Sequence, residues 1–212
     1  MQQKILKWSL LAAIVLLIFD AIISGIPRLL YLLWDICGFE YMSLYGINSV
    51  FGYFIPLNND IFQILLIAVG GLFIYLNRKN ILPMVGGGLI ILQALIAMLI
   101  NLLQLVFHIS SQGYFTGDLY LVRTLILSII IFAAFAVLSF HYKDKVMGLI
   151  TAVYAVIKFY MIVLLIVDRI SHFMYSAFGM LTVGAHGLLV LVAEVAFLGL
   201  WFRKINEPQL TD

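Results

Sequence analysis

Between Ile81 and His108 the chain carries no Lys, Arg, Asp or Glu, and a basic pair, Arg78–Lys79, stands just before that stretch. As an α-helix it would run ~42 Å, more than the ~30 Å of a bilayer's hydrocarbon core. The stretch is not uniformly apolar. At ~100° per residue, Gly86, Gln93, Ala97, Asn101, Gln104 and His108 fall within roughly 80° of one helix face. A small-and-polar stripe on a lipid-buried helix must face protein or water, so the segment predicts neighbouring helices as well as a membrane.

The composition supplies those neighbours. The chain is 65% hydrophobic and only 10% charged, against about 25% charged in soluble domains. Its apolar runs are continuous, which excludes a transmembrane barrel built from short alternating segments. The class is an all-α polytopic membrane protein, with 1–212 read as a single membrane domain. Net charge is +2 and the basic residues stand singly or in pairs at segment ends, which gives nucleic acid no footing. The lone cysteine, Cys37, forms no internal disulfide. No zinc spacing, phosphate loop or dinucleotide fingerprint appears. Gly86–Gly88 reads as a close-packing surface between helices.

Six spans are expected, at about 8–25, 60–77, 81–108, 119–140, 146–167 and 178–202. Lys4 and Lys7 before an apolar run resemble a signal peptide. No A-x-A site follows, however, and Asp20 interrupts the run, so it is read as a retained first span. Residues 26–59 are an aromatic segment with Arg28, Asp35 and Glu40, expected to lie on or dip into the outer interface. Basic-residue placement decides this. With six spans, Lys4, Lys7, Arg78, Lys79, Lys143, Lys145, Arg203 and Lys204 share the cytoplasmic side, and only Arg28 and Arg169 lie outside. A seventh span at 41–57 would put most of them outside. Both termini are therefore expected to be cytoplasmic, in a bacterial plasma membrane. Trp8, Trp34 and Trp201 are expected at the interfaces as an aromatic belt.

Four charges fall within the spans: Asp20, Arg123, Lys158 and Glu194. Each costs ~2.5–3.5 kcal/mol if central and alone. Asp20 and Arg123 both lie toward the outer side, where they either pair or reach the interface. Lys158 and Glu194 differ in height by only ~6 Å at helical rise, within reach of a lysine stem, and are expected to form an intramembrane pair.

Gln93, Asn101, Gln104 and His108 are the candidate binding or helix-packing residues. As packing groups, Gln93, Asn101 and Gln104 bond across helices for roughly 0.6–2 kcal/mol each. As a site they form the polar wall of an outward-opening cavity that segment 26–59 could cover. His108, His172 and His186 lie on the outer side and are candidate ligands for a metal or haem, although their spacing carries no ligand signature. Gly184-Ala-His186 and Gly148-Leu149 faintly resemble rhomboid-type intramembrane proteases. Ile150 stands at the nucleophile position of that motif, so the resemblance implies no activity. The layout is similar to the substrate-binding membrane subunits of energy-coupling-factor transporters, with six helices and an outer loop after the first that closes over a ligand. That similarity is one of architecture, with no motif residue behind it.

The sequence thus leads to a non-enzymatic integral membrane subunit, within a transport assembly, that binds a small molecule or a partner membrane protein. Two other readings stay open. One is an accessory or protective subunit of a larger membrane complex. The other is a haem- or metal-dependent enzyme using the outer histidines. No motif names a cofactor.

Overall fold

The computed structural model describes residues 1–22, 45–106, 114–171 and 177–206, and among them the side chains of 1–22, 60–103, 122–167 and 185–206. They form six α-helices: α1 (Gln2–Asp20), α2 (Tyr45–Leu76), α3 (Ile81–Val106), α4 (Tyr114–Tyr142), α5 (Lys145–Ser171) and α6 (Ala177–Asn206). Five, all but α2, are long and apolar enough to cross a membrane, and α2 contributes the shorter apolar stretch Asp60–Leu76. The protein is an integral membrane protein.

Each helix packs on the helices before and after it, and α6 packs back on α1. The six close into a ring. Its outer surface is apolar: Leu92 and Leu95 of α3, Val156 and Phe159 of α5, and Leu189 and Val192 of α6 are all exposed. In lipid these side chains meet acyl chains and need no further burial.

One end of the ring is filled. Leu6, Leu10, Val69, Phe73, Leu138, Met147, Tyr154, Phe197 and Trp201 form one buried cluster. Its rings interlock: Phe135 stacks on Phe197 at 3.8 Å, Phe135 meets Tyr154 at 5.3 Å, and Phe73 meets Trp201 edge-on at 5.0 Å. The α4–α5 turn is at this end, tied to α6 by Lys204 Nζ–Asp144 Oδ2 at 3.1 Å.

Two features add to the expected layout. Helical geometry in α2 starts at Tyr45 rather than near 60, so 45–59 is continuous with the second apolar stretch. Asn48, Gly52 and Pro56 interrupt hydrophobicity, and Pro56 lacks the N–H that would bond to Gly52, yet the helix runs on through them. At ~1.5 Å per residue α2 runs ~48 Å, so it projects beyond the apolar layer or crosses it tilted. The remainder of the expected interfacial segment, 26–44, lies outside the described residues. Trp201 is fully buried among the helices, whereas Trp8 is exposed. Which way each indole faces was not legible in the sequence. Trp34 lies outside the described residues.

Candidate binding site

Above the aromatic cluster lies a half-open cavity of about 1310 Å³, lined by side chains from all six helices. That exceeds the usual range of small-molecule pockets, ~300–1,000 Å³. The four charges expected inside the membrane, Asp20, Arg123, Lys158 and Glu194, all line it, as do Gln93, Asn101 and His186. So do Asp60 and Gln63 of α2 and Thr124 and Ser128 of α4.

The α2–α3 seam supplies Asp60, Gln63, Gln93 and Asn101 to the polar wall. Gly70 and Gly87 bring the two backbones together: a Cβ on Gly70 would stand 2.8 Å from the Gly87 carbonyl oxygen. Farther from the turn, Gln93 Nε2 donates to Gln63 Oε1 at 3.4 Å, with both residues buried. Farther still, Asn101 Nδ2 donates to Asp60 Oδ1 at 3.4 Å. The seam is an antiparallel ladder of glycine, glutamine and Asn–Asp rungs. From α4, an Arg123 guanidinium N–H donates to Asn101 Oδ1 at 3.0 Å, so Asn101 links Asp60 to Arg123 across three helices. A charged donor shortens and strengthens such a bond.

The opposite wall is different. Lys158 of α5 and Glu194 of α6 act on each other electrostatically, and Asp20 of α1 also acts on Glu194. Lys158 Nζ stands over the Tyr154 ring, 5.7 Å from its centroid. Lys158 also acts on His186, which stands beside the backbone of Ile157. His186 Nε2 and Tyr154 Oη are buried without partners.

Of the stripe, Gln93 and Asn101 thus face the interior of the ring. Gln104 lies in α3 with its side chain outside the described residues. His108 and His172 lie outside them altogether. Among the described residues no group of three His, Cys, Asp or Glu side chains is placed to hold a metal. Asp60 and Gln63 were missed because Asp60 stood at an expected span boundary, where a charge is unremarkable. A signal for Gln63 exists. Gln63 stands seven residues before Gly70 and Gln93 six after Gly87, so each glutamine falls about two turns from the glycine contact, on either side of the 77–80 turn. No family model, curated protein or solved structure matches this chain.

Proposed function

We propose that the protein is a six-span binding subunit of a bacterial plasma membrane, with cytoplasmic termini and no catalytic chemistry of its own. It takes a small polar molecule into the central cavity. One observation carries this reading: charged or amide side chains from all six helices converge on one space of about 1310 Å³. A bundle that only had to stand in lipid would be served at least as well by apolar residues at those positions. Ionisable groups inside a membrane mark a binding site by default when they line a cavity. The apolar walls and the aromatic floor of Phe135, Phe197 and Trp201 complete the mixture expected of a small-molecule site.

The reading in which the stripe meets another chain draws less support. Gln93 and Asn101 find partners within this chain, on α2 and α4.

The test is thermal unfolding of detergent-purified protein against a panel of polar metabolites, with mass spectrometry of whatever is released from the purified protein. At least one compound should raise the unfolding temperature. Asn101→Leu should weaken its binding at least ten-fold, while Leu92→Ala on the lipid-facing surface should leave it unchanged. A wild-type protein that releases nothing and responds to no compound would remove the proposal.

A further inference from the structure

The two sides of the cavity differ in what their polar groups still lack. Asp60, Asn101 and Arg123 bond to one another. Lys158 and Glu194 do not. They stand on adjacent helices, face the same cavity and feel each other's charge. Yet among the described residues neither makes a hydrogen bond, nor an ion pair within 4 Å, to the other. The ammonium rests on the Tyr154 ring face at 5.7 Å, an interaction that leaves its N–H donors available. Beside it, His186 Nε2 is buried and unpartnered.

Resting on the binding reading above, we propose that the ligand is a small zwitterion, carrying one ammonium and one carboxylate on a compact apolar body. Lys158 takes the carboxylate and Glu194 takes the ammonium. The His186 imidazole adds a polar contact from Nε2. The apolar body lies against the stacked rings of Phe135 and Phe197.

Pairing of the two open groups, not the sum of the wall charges, selects this class over singly charged ligands. The cavity walls carry three carboxylates, Asp20, Asp60 and Glu194, and two cations, Arg123 and Lys158. A zwitterion satisfies both open groups and adds no net charge to a low-dielectric space. An anion leaves Glu194 unpaired beside it, and a cation leaves Lys158 unpaired. A buried charge left without its partner is strongly disfavoured.

Three probes separate the cases, since they share a body and differ only in charge: phenylalanine, 3-phenylpropanoate and 2-phenylethylamine. Binding is read as the shift in unfolding temperature of the full chain in detergent, titrated to an apparent Kd. Phenylalanine should bind at least ten-fold more tightly than either analogue. Glu194→Gln should bring it level with 3-phenylpropanoate, and Lys158→Met level with 2-phenylethylamine. The native unfolding temperature of each variant is measured first. Should either fold poorly, Glu194→Asp and Lys158→Arg take their place, and each should shift the preference among the probes without abolishing it.

If an analogue with one charge binds the wild type as tightly as phenylalanine, the zwitterion is wrong and the cavity remains a binding site. The same holds if none of the three binds while the metabolite panel yields a ligand lacking either charge. If neither the probes nor the panel bind, both proposals fall together.

Discussion

Asp144 shows how much one side chain does in a two-residue connection. Lys143 is the C′ residue of α4, in left-handed geometry at φ 50°. Its N–H bonds to Phe140 and that of Asp144 bonds to Ser139, both at 3.3 Å, which is the Schellman pattern. Asp144 then caps α5, its Oδ1 accepting from the N–H groups of Val146 at 2.8 Å and Met147 at 3.1 Å. Its other oxygen meets Lys204. The Met147 N–H, and after it the Lys204 ammonium, holds the Asp144 carboxyl below its ordinary value of 3.8. A carboxyl depressed in the folded state stabilises fully above its unfolded value, and that stabilisation is lost as pH falls through the folded value. Asp144→Ala should therefore cost ~1 kcal/mol near neutral pH. Asp144→Asn keeps a good cap but has no charge to lose. Between pH 6 and pH 3 the wild type should lose more unfolding temperature than the Asn variant, and equal losses would assign the acid sensitivity to other carboxylates. The sequence located this turn by its charges but said nothing of the cap. For the intramembrane charges it likewise gave heights without directions. Arg123 was legible as a buried cation, but its bond to Asn101 depends on how α4 is rotated against α3.

The α2–α3 seam is an element built on glycine, and adjacent residues in it separate contact from composition. An added Cβ on Gly70 would stand 2.8 Å from the Gly87 carbonyl oxygen and 2.7 Å from Ile91 Cγ1, whereas one on Gly71 meets nothing within 4 Å. Backbone oxygen cannot rotate aside as a side-chain methyl can. Gly70→Ala should thus force the helices apart and cost ~1–3 kcal/mol, as overpacking does. Gly71→Ala should be neutral or stabilise by up to ~1 kcal/mol through helix propensity. Thermal unfolding of the two variants checks this, and equal behaviour would mean that α2 and α3 do not approach so closely. The Gly86–Gly88 run announced a packing surface in the sequence. That Gly86 and Gly87 approach other helices while Gly88 approaches none was not readable, because successive residues point 100° apart and only the partner decides which matters. In α2 the helix runs on from the apolar stretch Asp60–Leu76 into 45–59. Polar residues mark the edge of the lipid layer, and a helix has no obligation to stop there.

At the scale of the molecule, the ring depends on strict alternation of helix direction, and basic residues at one end are its outward sign. Phe73 near the end of α2 meets Trp201 near the end of α6, and Lys204 of α6 meets Asp144 in the α4–α5 turn. The α2–α3 turn with Arg78 and Lys79, the α4–α5 turn with Lys143, and the end of α6 therefore share one end of the bundle. Nothing in the sequence revealed that α6 returns to α1. A polar stripe says that a helix has an interior side, not how many helices enclose it. The placement of lysine and arginine is the basis of the sidedness we propose for the ring. In a Cys37→Ser background, single cysteines at Lys79, Lys143 and Asn206 should react with a membrane-impermeant maleimide from the cytoplasmic face only. Reaction of all three from the opposite face would invert the protein and leave the ring standing. Reaction of Lys79 and Lys143 positions from opposite faces would be more damaging. α3 and α4 could not then be consecutive antiparallel spans, the ring could not close, and Asp60, Asn101 and Arg123 would not meet on one wall.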